Sequence, residues 1–231
     1  MAREGHSRHS TGSGIAASSD AIVYPRTPPA HLFVLSGPAG SGKTTLCYSL
    51  IEFDPNLSRV VTATTRSPRP GEVNGRDYHF LSVEDFLKKR RTHAFYETAE
   101  VHGLGRYYGT LKEEVNSRLE AGHDLLLNID VQGAQSFREA AEKDPDLARR
   151  LVTIFILPPS LKALQQRLEG RGSDDKTEIQ RRMVTAKAEM RRWNEYDYCV
   201  VSGTPEEDLA RVHAIIVSFR YQVARPSTRY L

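Results

Sequence analysis

Gly37-Pro38-Ala39-Gly40-Ser41-Gly42-Lys43-Thr44 follows directly on the apolar run His31-Leu32-Phe33-Val34-Leu35. The octet fits G-x-x-x-x-G-K-[ST], a loop pattern that cradles nucleotide phosphates. Glycines let the backbone curl so that successive N–H groups converge on phosphate oxygens with no Cβ in the way. Behind the loop, Thr45-Leu46-Cys47-Tyr48-Ser49-Leu50-Ile51 opens a helix whose positive dipole end faces the same anion. Lys43 can reach the β- and γ-phosphates, and the Thr44 hydroxyl can ligate Mg²⁺. Gly37, Pro38, Ala39, Gly40, Ser41, Gly42, Lys43, Thr44 and Thr45 are therefore candidates to bind a nucleoside triphosphate.

Working outward, short apolar runs alternate with helical patterns. Strands are predicted at His31–Ser36, Arg59–Ala63, Asp77–Ser82, Asp124–Ile129, Leu151–Leu157 and Tyr198–Ser202. The runs at 125–127 and 152–157 are nearly continuous, as in central parallel strands buried on both faces. Helices are predicted at Lys43–Phe53, Gln132–Lys143, Ser160–Glu169, Asp175–Glu195 and Pro205–Gln222. The last has a clear start: Thr204 as cap, Pro205 at the first position and Glu206-Glu207 in the first turn. This alternation predicts an α/β fold, a parallel sheet with helices on both faces. Between Thr62 and Gly109 the rhythm changes. Prolines and glycines cluster at 68–75, a polar strand follows, and Ser82-Val83-Glu84-Asp85 caps a short helix. The stretch reads as a small strand-rich subdomain inserted after the second core strand.

The 231 residues suit one globular domain with a proper core. No apolar run approaches the ~18 residues of a membrane span. A net charge of +3 is too small to argue for nucleic acid. Cys47 and Cys199 are the only cysteines, one on the loop's helix and one in an apolar strand. They read as small hydrophobes in a reducing, cytoplasmic setting and not as a disulfide framework. The eight histidines show no metal-ligand spacing. Residues 1–29, rich in Ser, Gly, Ala and His, are expected to be a disordered tail. They lack the apolar core of a secretory signal. Arg3, Arg8 and Arg26 faintly suggest a transit peptide, and Glu4 and Asp20 count against one. Residues 225–231 read as a second, loose tail.

A second constellation spans Thr62-Ala63-Thr64-Thr65-Arg66-Ser67-Pro68-Arg69-Pro70-Gly71-Glu72-Val73-Asn74-Gly75-Arg76-Asp77-Tyr78. Arg66 and Arg69 lie three apart in a rigid turn, a spacing that can aim two guanidinium forks at one phosphate. Tyr78 and Tyr108 add hydroxyl donors. Together with Phe95-Tyr96-Glu97, Tyr107-Tyr108-Gly109-Thr110, Asn128-Ile129-Asp130-Val131-Gln132-Gly133 and Arg167-Leu168-Glu169-Gly170-Arg171-Gly172, the segment closely resembles the guanylate kinase family. In order and spacing the resemblance covers about residues 31–222.

The resemblance implies a P-loop NTPase-type core (30–61 and 110–224), a GMP-binding subdomain (about 62–109) and a helical lid (about 168–182). It implies ATP-dependent phosphorylation of GMP, and of dGMP, with Mg²⁺ carried by ATP. Arg66, Arg69, Tyr78 and Tyr108 then hold the GMP phosphate. Glu97 accepts from guanine N1–H and the exocyclic amine, a donor pair that adenine lacks. Thr62, Gly109, Thr110 and Asp130 line the base site. Arg167, Arg171 and Arg182 resemble lid arginines that close over ATP, and Lys43, Arg171 and Arg182 meet charge developing on the transferred group. Two departures stand out. Guanylate kinases usually carry Asp where this chain has Asn128, and commonly Asn near Ser202, so Ser202-Gly203 is expected to hold the ATP base more loosely. Two other readings compete: a non-catalytic guanylate-kinase-like module binding phosphopeptides, and a kinase of a phosphorylated sugar. Retention of Lys43, Thr44 and the lid arginines argues against the first, and Glu97 with Thr62 and Thr110 against the second. Oligomeric state is left open by the sequence.

Overall fold

The computed structural model describes residues 29–101, 105–170 and 176–222. A five-stranded parallel sheet forms its centre, in the order β2-β7-β1-β8-β9. Its strands are β1 (Leu32–Ser36), β2 (Leu57–Arg59), β7 (Asp124–Asn128), β8 (Leu151–Leu157) and β9 (Tyr198–Val201). A second, four-stranded sheet, β4-β3-β6-β5, joins β3 (Ala63–Thr64), β4 (His79–Phe80), β5 (Phe95–Val101) and β6 (Arg106–Leu111). The helices are α1 (Lys43–Phe53), α2 (Val83–Arg91), α3 (Lys112–Glu120), α4 (Val131–Ala141), α5 (Pro145–Arg150), α6 (Leu161–Glu169), α7 (Lys176–Met190) and α8 (Pro205–Arg220).

Strand alternation divides the central core into two layers. Leu32 and Val34 of β1, with Leu125 and Leu127 of β7, pack against Val115 and Leu119 of α3, Phe137 of α4 and Leu147 of α5. Phe33, Leu35, Leu126, Ile154 and Ile156 face the other way, onto Leu46 and Leu50 of α1 and Val212 and Ile216 of α8. Helices thus cover both faces of the parallel sheet, as the alternation of the sequence predicts. At the base of the sheet, Arg220 at the end of α8 donates to Asp124 (2.7 Å) and to Asp54 (2.7 Å). Asp124 also accepts the His31 backbone N–H at 2.8 Å.

Several elements differ from their sequence reading. The strand predicted at Arg59–Ala63 is two strands in two sheets: β2 ends at Arg59 and β3 begins at Ala63. The β-branched run Val60-Val61-Thr62 is the crossing between them, with the Val60 N–H still bonded to Leu126 of the first sheet (3.0 Å). The polar strand at 77–82 shortens to His79–Phe80. The predicted helix 175–195 ends at Met190, and a separate 3₁₀ turn spans Trp193–Glu195; Asp175 lies outside the described residues. β6, α3 and α5 are not among the elements the sequence predicts. Ser82 caps α2 through the Asp85 N–H (3.0 Å). Thr204 and Glu207 form a reciprocal capping box on α8. The two tails, 1–28 and 223–231, lie outside the described residues. No described helix is long and apolar enough to cross a membrane.

Candidate active site

The loop from Gly37 to Gly42 joins β1 to α1 across the carboxyl end of the central sheet. Gly37, Gly40 and Gly42 all have positive φ, at 139°, 88° and 95°. At Gly37 a side chain is excluded twice over, because a Cβ would stand 2.5 Å from the Ile156 carbonyl of β8. At Gly42, the cap residue of α1, nothing lies within 4 Å of a Cβ position, so the curled backbone presents an open face. Lys43 folds back over this loop, its Nζ donating to the carbonyls of Gly37 (2.6 Å) and Pro38 (2.9 Å). The loop thus holds its own cation in place through its carbonyls. Thr44 and Thr45 are exposed at the first turn of α1.

Asn128, the last residue of β7, donates its side-chain N–H to the Thr44 hydroxyl at 3.2 Å. The departure from the family pattern thus falls beside the hydroxyl expected to ligate Mg²⁺. Among the described residues no group of three or more His, Cys, Asp or Glu could hold a metal ion. The donor set, one threonine hydroxyl and a neighbouring neutral amide, fits a Mg²⁺ bound chiefly by phosphate oxygens and water.

Arg167 of α6 ties the loop to the end of β9. It donates to the Ser41 carbonyl (3.4 Å) and to the Ser202 hydroxyl (3.1 Å). Arg182 is half-buried on α7, which packs on α6 through Leu164, Leu168, Met183 and Ala186. Arg171 lies outside the described residues. Glu189 of α7 was missed in the sequence; it is close enough to Lys43 and Asp130 to feel both charges, and burial pushes its carboxyl upward.

A second group of residues gathers on the four-stranded sheet. Arg66 makes a two-pronged ion pair with Glu72, both bonds 2.6 Å, and lies over the Tyr78 ring at 5.0 Å. Tyr108 stands close enough to the same guanidinium to act on it electrostatically, and its ring meets Tyr78 edge-on at 6.1 Å. Glu72 also accepts the Arg69 backbone N–H at 2.7 Å. These contacts hold the Glu72 carboxyl down at about 2, chiefly through Arg66. The turn thus gathers Tyr78 and Tyr108 at the Arg66 guanidinium, whose fork holds a carboxylate, an oxyanion of the same charge sign as phosphate. Arg69 joins through its backbone, with its side chain exposed. Glu72 was not singled out in the sequence, where a glutamate in a Pro/Gly turn reads as solvated.

Glu97 sits on β5, the outer strand of this sheet, opposite Thr110 of β6. A bulge between Phe95 and Glu97 re-aims the side chain, and Gly109 permits close strand approach, since a Cβ there would stand 2.8 Å from the Glu97 carbonyl. The Thr110 hydroxyl, among the residues expected to line the base site, donates to Glu97 Oε1 at 2.7 Å. Burial raises the Glu97 carboxyl from its ordinary 4.5 to about 7, against the Thr110 bond and with help from the negative charge of Asp130. Asp130 caps α4 through the Gly133 N–H (2.8 Å), so one of its oxygens has a structural task. Thr62 is half-buried where the chain enters β3, and its carbonyl accepts the His79 N–H at 2.9 Å.

Cys47 is buried on α1, where burial pushes its thiol up to about 11; Cys199 is half-buried and also a free thiol.

A phosphate loop on a five-stranded parallel sheet, with a smaller sheet carrying an arginine–tyrosine cluster and a half-buried carboxylate, defines a P-loop kinase of small phosphorylated substrates. The sequence pattern of guanylate kinase matches residues 30–219. The guanylate kinase of Maricaulis maris is 45% identical over 194 residues, 84% of this chain and 85% of that protein. That of Aromatoleum aromaticum is 42% identical over 203 residues, covering 88% and 95%. The crystal structure of guanylate kinase from Anaplasma phagocytophilum superposes with a TM-score of 0.64 at 28% identity, covering 88% of this chain and 92% of that one. The chain belongs to the guanylate kinase family.

Proposed function

We propose that the protein transfers the γ-phosphoryl group of ATP to GMP, giving ADP and GDP, with dGMP as a further acceptor. The observation that carries the acceptor assignment is the pairing of half-buried Glu97 with buried Thr110. An ionised carboxylate is acceptor-only, and guanine offers two adjacent donors at N1 and the exocyclic amine. Thr110, by donating to one carboxylate oxygen, fixes its orientation. Arg66, Arg69, Tyr78 and Tyr108 take the GMP phosphate, with Glu72 holding the Arg66 fork in register before the phosphate arrives. On this reading the small sheet, about 62–109, is the acceptor subdomain, and about 168–182 is the lid.

On the donor side, N–H groups of the Gly37–Gly42 loop and the start of α1 bind the β- and γ-phosphates. Lys43 exchanges its loop carbonyls for the γ-phosphate oxygens. Mg²⁺, held by ATP and Thr44, neutralises phosphate charge when bound. A GMP phosphate oxygen forms the new bond to γ-phosphorus. The bond to the β,γ-bridging oxygen breaks opposite it, and its electron pair stays on ADP. Lys43 stabilises the charge on the equatorial oxygens, with Arg182 and Arg171 assigned to the same task from the lid. No side-chain nucleophile takes part.

The test is ADP release across GMP, dGMP, AMP, IMP, CMP and UMP. The expected result is turnover with GMP and dGMP far above the rest. Turnover without preference for guanine, or none with any acceptor, overturns the assignment.

A further inference from the structure

A cavity of about 360 Å³ opens beside the phosphate loop, bounded by Gly40, Gly42, Thr45 and Leu46 on one side and by Pro205 and Asp208 on the other. A nucleotide whose phosphates lie on the loop extends its base into this space. Ser202 replaces the residue that the family commonly uses here, yet its hydroxyl is committed. It donates to Asp208 Oδ2 (2.8 Å) and accepts from Arg167 (3.1 Å). The Gly203 N–H is committed too, donating to Asp208 Oδ1 at 2.8 Å. Both groups serve to hold Asp208, a buried residue in the first turn of α8. Each of its oxygens keeps acceptor capacity beyond the bond it already receives, since a carboxylate offers about four acceptor sites.

We propose that Asp208 selects the base of the phosphate donor: it accepts from the 6-amino group of adenine and rejects bases with an oxygen at that position. The inference rests on the ATP-dependent kinase reading and goes beyond it, because it assigns donor selectivity to a residue outside the phosphate loop. A hydroxyl at this place both donates and accepts, and so tolerates either base. A carboxylate accepts only, and a 6-oxo group opposite it leaves two acceptors face to face in a desolvated pocket. The substitution at Ser202 therefore does not loosen the base site but turns a short side chain into a bracket for a stricter one.

The experiment compares ATP with ITP, which differs from ATP only at the 6-position and the N1 proton that goes with it. Two readouts are taken: equilibrium affinity by calorimetry without acceptor, and kcat/KM for transfer to GMP. The wild type is expected to favour ATP by about 10- to 100-fold in both. Asp208→Asn keeps the shape, retains an acceptor for the Gly203 N–H and turns an amide donor towards the base. It is expected to compress the ATP/ITP ratio to within about threefold while KM for GMP holds. Ser202→Ala leaves the carboxylate in place and should weaken both donors alike. Equal affinity of the wild type for ATP and ITP overturns the proposal without any variant. So does an Asp208→Asn protein that loses both donors equally, which marks a merely structural role. Absence of transfer to GMP with intact ATP/ITP selectivity in binding instead overturns the acceptor assignment and leaves this inference standing.

Discussion

Strand β8 reads Leu-Val-Thr-Ile-Phe-Ile-Leu and is buried through its five central residues, whereas β5 of the smaller sheet reads Phe-Tyr-Glu-Thr-Ala-Glu-Val. The five-stranded sheet is clamped between two apolar layers. The four-stranded sheet has a core of Ala63, Phe86 and Phe95, supported by Leu81, Tyr107 and Leu111. The rest of its cohesion is polar: the Thr65 hydroxyl takes the Tyr107 N–H (2.9 Å), Arg66 grips Glu72, and Glu114 of α3 pairs with His79 (3.4 Å) and Arg118 (2.8 Å). Apolar burial is indifferent to a ligand, but ion pairs and hydroxyl bonds can be exchanged for contacts to one. The contrast makes the first sheet the more firmly packed of the two, and leaves the second held by contacts that a ligand could exchange.

The largest expected effect breaks this contrast from the weaker side. Phe86 is fully buried and stacks on Phe95 at 4.5 Å and on Tyr107 at 5.5 Å. Phe86→Ala should cost about 3–5 kcal/mol, and the loss should stay local. Hydrogen exchange is expected to show lost amide protection in β5 and β6 with little change in β1, β7 and β8. Uniform loss across both sheets would show that they unfold as one unit.

Next comes Lys43→Ala, which tests the claim that the loop is functional while its sheet is structural. Removing one such charge should lower kcat by about 10²- to 10³-fold. Lys43 bonds the loop's own carbonyls and Ser41 and feels the charge of Glu189, so the melting temperature should move far less than the activity. Activity within a factor of a few of wild type contradicts the assignment.

Glu97→Gln is smaller in scale and sharper in meaning. It puts an amide donor opposite a guanine donor and should lower kcat/KM for GMP by about 10- to 100-fold, with KM for ATP nearly unchanged. IMP, which lacks the exocyclic amine, should lose less than GMP. Unchanged preference for GMP over IMP would make Glu97 a bystander.

The smallest effect is a pH dependence. In the ligand-free protein the Glu97 carboxyl titrates at about 7, above its ordinary 4.5. Between those values the folded state binds more protons than the unfolded one, so stability falls as pH rises through that window and levels off above about 7. Guanine needs the ionised form, so GMP affinity moves the opposite way. Its apparent Kd should be about tenfold weaker at pH 6 than at pH 8. Because the GMP phosphate also titrates near pH 6, Glu97→Gln is the reference: the difference between the two profiles should vanish if Glu97 is not the titrating group.

The same contrast explains what could be read from the sequence. β8 is found at Leu151–Leu157, the bounds its apolar run predicts, and β1 and β7 fall within a residue of theirs. Burial on both faces leaves an uninterrupted apolar run, which is a local signal. β5 and β6 carry glutamates, threonines and tyrosines among few apolar residues, and that hides their period. α3 opens at Leu111 without a side-chain cap, so nothing announces it. Within the site, the phosphate loop is legible because one contiguous segment builds it. Asp208 and Glu72 are not, since their meaning depends on Ser202, Gly203 and Arg66 as folded neighbours. A composition shift at residue 62 located the second sheet but could not reveal that Val60, Val61 and Thr62 form the crossing.

Arg220 carries a consequence for how the chain comes into being. It follows Asp54 by 166 positions and Asp124 by 96, so both carboxylates leave the ribosome long before their shared guanidinium does. In the finished fold both carboxylates are buried, and the one guanidinium pairs with each of them. Breaking such a buried arrangement costs about 3–5 kcal/mol, a large share of the ~5–15 kcal/mol that holds a domain together. This clamp at the base of the central sheet can therefore form only after α8, the last helix of the fold, has been made.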